Sequence, residues 1–383
     1  MFDESSSTVV DTERVAALRR ELDDLFVVNG TSLDRPEPGY VQFRGHFYAE
    51  EIHEVYDELR LRFERHGFTP LVRPDESVNM SDGRQVALIG LPHVFESPRP
   101  RWGINLALFL ATIGTTLLAG AGMALSMEPN AELTPLFLLR GWPFSLCVLL
   151  ILGAHELGHY FAARYHHAPA SLPYFIPFPS LFFGTMGAVI LLREPLKNRR
   201  ALFDMGAAGP LAGLVFAIPI LLLGLSMAEV QQFTGGGIQE GNSILYFLAK
   251  YAVFGQALPQ NGYDVLANQV SWAGWIGLFV TGLNLIPLGQ LDGGHIAYVL
   301  FGPRARSLFL PVIFFLGALA LLFEPARFQW LIWIVLLFFL GRRHAVPLDD
   351  VTELDPRRRT LAIMTLVIFF LVFVPIPLSE IIP

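Results

Sequence analysis

One cysteine in 383 residues, Cys147, excludes an internal disulfide, and its apolar surroundings read as an ordinary helix interior. Charge is scarce too. Charged residues make up 16% of the chain against 53% hydrophobic ones, and the mean hydropathy is +0.47, which excludes a single soluble domain of this length. The formal net charge of −7 is dispersed, and no basic cluster interleaved with aromatics occurs, so nucleic acid is not an expected partner. Secretory-signal chemistry is also missing, because the chain opens on Asp3, Glu4 and a serine run rather than a basic segment followed by an apolar core. The N-terminus is therefore expected to stay cytoplasmic.

What the chain has in quantity is long apolar runs. Taking about 20 residues as the crossing length, seven candidate spans cover 102–125, 143–163, 202–227, 272–301, 307–323, 328–340 and 360–378, the sixth being short. The fold class expected is a polytopic α-helical membrane protein of about six or seven transmembrane helices. Residues 1–95 differ in kind and read as a small soluble α+β module, with helices over 11–28 and 49–66 and strands over 40–48, 69–73 and 84–91. A proline-basic linker, 96–101, leads into the membrane domain, 102–383. Arginines and lysines cluster in alternate loops: Arg164; Arg193, Lys197, Arg199 and Arg200; Arg304 and Arg306; Arg342 and Arg343; Arg357, Arg358 and Arg359. The positive-inside rule puts those loops and the N-terminal module in the cytoplasm and the C-terminus outside. For a bacterial cell this means a multi-pass protein of the inner membrane.

Inside the second run stands His155-Glu156-Leu157-Gly158-His159. Residues four apart share a helix face, so the imidazoles of His155 and His159 can converge on one Zn²⁺, with Glu156 beside them as the base that deprotonates water. Ionisable groups near a bilayer centre cost about 2.5 kcal/mol or more each, and three within one turn ask for a functional explanation. Packing against a buried cation is the alternative. Catalytic zinc usually takes three protein ligands, and the fourth run supplies a candidate. There Asn284-Leu285-Ile286-Pro287-Leu288-Gly289-Gln290-Leu291-Asp292-Gly293-Gly294 interrupts an apolar segment, which predicts a broken helix. His155 precedes Arg164 by nine residues and Asp292 precedes Arg304 by twelve, so at 1.5 Å per residue both lie roughly 14 to 18 Å from the same end of their spans. Asp292 is then the expected third ligand, with Gly293 and Gly294 letting the backbone bend to present it; a glycine-rich hinge with a helix-capping Asp is the alternative.

These paired motifs, H-E-x-x-H at 155–159 with Asn284-x-x-Pro287 and Leu291-Asp292-Gly293, resemble the site-2 protease family of intramembrane zinc metalloproteases over roughly 143–301. The resemblance implies His155, His159 and Asp292 as ligands of one zinc per chain, Glu156 as general base, and Asn284 as a group that holds the substrate or its oxyanion. Phe183-Gly184-Thr185-Met186-Gly187-Ala188, and 204–213 with Gly209-Pro210, resemble the plastid and bacterial branch. A PDZ module does not fit in 228–269, which leaves the N-terminal module as the candidate site for a cytoplasmic regulator. The implied activity is hydrolysis of peptide bonds in or near the transmembrane segments of single-span membrane proteins.

Between 171 and 192, Pro173, Pro177 and Pro179 forbid a regular helix in the first half, and Gly187 to Leu192 favours a strand. A re-entrant hairpin beside the metal is expected, whose edge, through Gly184, Thr185, Met186 and Gly187, pairs with an unwound substrate. His166 and His167 read as solvated groups at a membrane edge, and His295 as a group that could support a ligand from behind. A transporter or cation path through the same His, Glu and Asp side chains is the competing reading, as is a catalytically dead membrane scaffold. No inverted repeat accompanies the single broken helix.

Overall fold

The computed structural model describes residues 12–75, 85–95, 101–127, 134–180, 182–232, 237–342 and 344–381. The acidic-serine start and all of the expected linker except Arg101 lie outside the described residues. Contacts divide the chain into two compact units.

The first unit takes in Met1–Pro98 together with Arg193–Leu202 and Val346–Asp355. Its elements are α1 (Thr12–Arg20), β1 (Phe26–Leu33), β2 (Val41–Phe47), α2 (Ile52–Glu64), β3 (Thr69–Pro74) and β4 (Val86–Leu91). The four strands form an antiparallel sheet in the order β1-β2-β4-β3. Strict alternation in β2 buries Val41, Phe43 and Phe47, while α2 buries Tyr56, Leu59 and Phe63 at helical spacing, and these faces make one core. The helix expected over 11–28 is shorter. It ends at Arg20, and Phe26-Val27-Val28 enters the sheet instead, where the Phe26 ring meets Phe47 edge-on at 4.9 Å.

Sequence reading treated the two distant segments of this unit as loops of the membrane domain. Here they continue the sheet. The Val72 N–H donates to the Leu348 carbonyl (2.9 Å) and the Asp350 N–H to the Val72 carbonyl (3.0 Å), while the Leu348 and Asp349 N–H groups donate to Leu196 and Lys197 (2.8 Å each). Leu348 is fully buried in the core beside Leu18, Phe43 and Phe63. Charges on α2 fasten the other segment, with the Arg60 guanidinium on both oxygens of buried Glu194 (2.7 and 3.2 Å) and Asp57 on Lys197 (2.7 Å).

The second unit holds α3 (Trp102–Met127), α4 (Trp142–Tyr165), β5 (Tyr174–Pro177), β6 (Thr185–Val189), α5 (Arg199–Ser226, whose first residues belong to the first unit), β7 (Glu229–Gln232), β8 (Gly237–Glu240), α6 (Ile244–Phe254), β9 (Tyr263–Leu266), α7 (Gln269–Asn284), α8 (Asp292–Phe301), α9 (Phe309–Leu322), α10 (Arg327–Leu340), α11 (Pro356–Val372) and β10 (Leu378–Ile381). Among the described residues four stretches are long and apolar enough to cross a bilayer: Trp102–Ser126, Leu136–Tyr165, Arg199–Ser226 and Asp292–Leu322. This is a membrane protein. The partition of the later spans differs from the expected one. The run 272–301 is two helices, α7 and α8, and the run 307–323 is occupied by α9, which follows the 3-10 turn Gly302–Leu308.

β5 and β6 form an antiparallel hairpin, Tyr174 opposite Val189 and Pro177 opposite Thr185. Prolines are tolerated in β5 because this two-stranded sheet has an edge on each side. The insert is strapped down by the Asn105 amide, which donates to the Leu172 and Pro173 carbonyls (3.0 and 2.9 Å), and by the Trp272 indole N–H, which donates to the Phe182 carbonyl (3.0 Å).

Candidate metal centre

The inward face of α4 buries Phe144, Val148, Ile151 and Leu152, and one turn further on the same face becomes His155, Glu156 and His159. Opposite it, α7 ends at Asn284 and α8 begins at Asp292. The intervening turn is made at Gly289, where φ is 56°. Gly293 and Gly294 have a different task from the bending expected of them. A Cβ on Gly293 would fall 2.0 Å from the Leu285 carbonyl oxygen, and one on Gly294 would fall 2.4 Å from that of Leu288, so both let the first turn of α8 press onto the 285–289 segment.

The result is a compact donor set. The His155 and His159 Nε2 atoms are 3.1 Å apart, and each lies 3.3 Å from one Asp292 carboxylate oxygen. All three donors lie within 4.8 Å of one another, both imidazoles buried and Asp292 nearly so. These residues fit zinc. Ligands about 2.0 Å from a tetrahedral metal stand about 3.3 Å from each other, and His₂-carboxylate is a recurrent catalytic set. Tautomer control agrees with the spacing. The His159 Nδ1–H donates to the Met205 carbonyl of α5 (2.8 Å), which leaves the Nε2 lone pair facing the cluster.

α5 reaches the cluster through missing side chains. A Cβ on Gly209 would fall 2.1 Å from His159 Nε2, and one on Gly213 would fall 3.3 Å from His155 Nδ1. Sequence reading singled out Gly209-Pro210 only by resemblance; its physical reason is room for the imidazole. Asn284 sits at the site, its amide nitrogen 3.3 Å from His155 Nε2. Glu156 is buried beside them.

The hairpin residues divide by environment. Gly184, with φ 68°, packs onto α3, where a Cβ would meet the Thr116 Cα at 2.7 Å, so its close approach is to the protein itself. The Thr185 hydroxyl is buried and staples the hairpin by donating to the Ile176 carbonyl (2.9 Å) and accepting from the Gly187 N–H (3.0 Å). Met186 is 64% exposed, and Gly187, at φ 96°, has open space on its Cβ side.

The other histidines differ among themselves. His166 is held in structure rather than simply solvated, with its Nε2 2.8 Å from the Asp204 carboxylate, which also takes two bonds from Arg358. α4, α5 and α11 are joined there. His167 is exposed. His295, one turn beyond Asp292 on α8, is buried against Gly206.

Residues 143–323 match the profile of peptidase family M50. The chain is similar to a probable chloroplastic zinc metalloprotease EGY2 of Arabidopsis thaliana, 30% identical over 355 residues that cover 90% of this chain and 62% of the relative. It is 29% identical to a protein of the same name in Oryza sativa subsp. indica, over 89% of this chain and 62% of that one. A probable chloroplastic zinc metalloprotease EGY1 of Arabidopsis thaliana is 30% identical over 71% of this chain and 53% of its own length. The chain thus spans about three fifths of the length of the first relatives it matches. No solved structure matches it. The zinc metalloprotease names of these relatives agree with the donor set that α4 and α8 bring together.

Proposed function

We propose that this chain is an intramembrane zinc endopeptidase that cleaves single-span membrane proteins in or near their transmembrane segments. The observation that carries the reading is the meeting of His155, His159 and Asp292 within 4.8 Å in an apolar interior, with buried Glu156 beside them. His155 and His159 through Nε2, and Asp292 through its carboxylate, would hold one zinc per chain. Bound there, the ion supplies a Lewis acid that lowers the pKa of water and polarises a carbonyl. The Glu156 carboxylate takes the proton of the attacking water and returns it to the leaving amine nitrogen. The Asn284 amide donates to the oxygen of the scissile carbonyl. The Met205 carbonyl keeps His159 in the tautomer that ligates.

A helical substrate hides its carbonyls in hydrogen bonds, so a stretch of it must unwind. The β6 edge, with Met186 exposed and open space beside Gly187, is suited to take up the freed backbone groups as an added strand, which makes the hairpin a re-entrant substrate clamp. Three further helices, α7, α10 and α11, of 16, 14 and 17 residues, complete a set of about seven spans. The arginine asymmetry sets the N-terminal module in the cytoplasm, where it receives a regulator, and the C-terminus outside. The names of the relatives favour hydrolysis over the transport and scaffold readings.

Metal analysis of detergent-purified protein combined with a cleavage assay tests this. Zinc near one per chain is expected, with occupancy lost in His155→Ala, His159→Ala and Asp292→Ala; Glu156→Gln should keep the metal and lose hydrolysis. Proteolysis surviving in Glu156→Gln would end the proposed chemistry, and full zinc retention in Asp292→Ala would move the third ligand elsewhere.

A further inference from the structure

α6 is amphipathic in the opposite sense from a helix that packs on a core. Its outer face carries Ile244, Phe247, Leu248 and Tyr251, at i, i+3, i+4 and i+7, which are 52, 37, 51 and 54% exposed. The inner face carries Tyr246 and Lys250, both buried. Lys250 is the only charge on the helix, and its ammonium group lies 3.0 Å from the Asp264 carboxylate and 4.7 Å from the centre of the Tyr246 ring. The Gln239 amide donates to the other Asp264 oxygen (2.9 Å), and the Tyr246 hydroxyl donates to buried Glu240 (2.7 Å). The charge on this helix and the Tyr246 hydroxyl are satisfied inward, and what faces out is apolar but for the Tyr251 hydroxyl.

α6 is too short to be a span. Its 11 residues make about 16 Å of helix against about 30 Å of hydrocarbon. Both ends are closed, by the Ser243 side chain, which accepts from the Tyr246 N–H, and by Gly255 in the left-handed conformation at φ 70°. A helix terminated in this way is a complete element rather than part of a crossing. It stands in the chain between α5, a membrane-crossing candidate, and α7, which is apolar, and Tyr263 and Leu266 on β9 add to the exposed apolar surface.

We propose that α6 lies in the plane of the bilayer, with its Ile244–Tyr251 face in the acyl boundary of the leaflet where α5 ends and α7 begins. Lipid is favoured over a protein partner because the face carries no charge for a partner to read, and because α5, the membrane-crossing candidate that precedes it in the chain, ends on exposed Leu222 and Leu223, with exposed Met227 just beyond. Tyr251 and Tyr263, each with an apolar ring and a polar hydroxyl, are the side chains that membrane-water boundaries collect. The inverted pattern also explains why Lys250 is paired inside instead of reaching out to water, since the outward direction from this helix leads into hydrocarbon. This inference is independent of the proteolytic reading and holds whether or not the chain cleaves anything.

Spin labels on single cysteines in a Cys147→Ala background, reconstituted in phosphatidylcholine vesicles, test it. Labels at Leu248→Cys and Phe247→Cys are compared with one on exposed β7, Gln232→Cys, and one on the exposed surface of α5, Phe216→Cys. Two positions on α6 guard against a variant that misfolds, and zinc content serves as the check of integrity. Collisions with a water-soluble nickel chelate should be severalfold fewer at 247 and 248 than at 232, while collisions with oxygen match those at 216. Nickel collisions equal to those at 232 would put the face in water. Fewer collisions with both reagents than at 216 would put it under protein, as in contact with a second copy. Either result overturns the proposal.

Discussion

Replacing Gly209 by alanine should remove zinc without touching a ligand. The Cβ it adds would stand 2.1, 2.4 and 2.5 Å from Nε2, Cε1 and Cδ2 of His159. Non-bonded contacts of this kind settle near about 3.5 Å, so the ring has to retreat by more than about 1 Å. Retreat is resisted on its other side, where Nδ1 is tied to the Met205 carbonyl at 2.8 Å. Zinc-nitrogen bonds tolerate only about 0.2 Å of error, so His159 leaves ligating range and the site is reduced to two protein ligands. A fall in zinc affinity of at least about a hundredfold, or about 2.7 kcal/mol, is expected. Gly213→Ala is the control. One turn along the same helix, its Cβ would stand 3.3 Å from His155 Nδ1, a contact that a small adjustment relieves, and zinc binding should stay close to that of the original protein. Alanine before Pro210 also disfavours the helical conformation, so the melting temperature will fall for a reason unrelated to the metal. Competition titration against a chromogenic chelator, with metal-free melting curves beside it, separates the two effects. Unchanged zinc affinity in folded Gly209→Ala would refute the placement of His159 on which the whole centre rests.

Asn284→Ala should retain zinc and lower kcat about a hundredfold, the usual effect of losing one donor to a developing oxyanion; a parallel fall in zinc content would instead make Asn284 a support for His155. Leu348→Ala should destabilise the first unit by about 2 to 4 kcal/mol in denaturant titrations without altering zinc content, because the side chain is fully buried in that core; an unchanged midpoint would contradict the packing. Cysteines placed at Ser5 and Ser379 in a Cys147→Ala background should react with an impermeant reagent from opposite sides of the membrane, and reaction from one side would mean that a span has been miscounted.

The donor set was legible because its determinants are local and periodic. Four-residue spacing puts His155 and His159 on one face, and the count of residues to Arg164 and Arg304 gives a depth for each partner before any contact is known. Strands β2, β3 and β4 and helix α2 were legible for the same reason, since alternation or helical spacing of apolar residues is visible within each segment. β1 was missed because charged residues up to Asp24 extend a helical pattern into Phe26-Val27-Val28, and only the cross-strand partner Phe47 decides the matter. The break at Gly302-Pro303 was legible as well, since α8 ends there, at Gly302 with φ 59°, and a 3-10 turn separates it from α9. Room for His159 at Gly209, the tie from Met205 and the inverted face of α6 depend on elements far apart in the chain. No window of sequence contains both partners of such contacts.

The order of synthesis gives the segment around Leu348 a further meaning. Residues 12–95 leave the ribosome before the second unit and hold the four described strands of the sheet of the first unit, yet that sheet gains its next neighbours only when Leu196 and Leu348 have been made. Leu348 is made after the last residue of the metal centre, on α8. Until then the core lacks a side chain and β3 has an unpaired edge, a state that domains completed early in translation avoid. Closure of the first unit is thus a late event, and a chain in which residues 346–355 have not yet docked is left with an exposed strand edge.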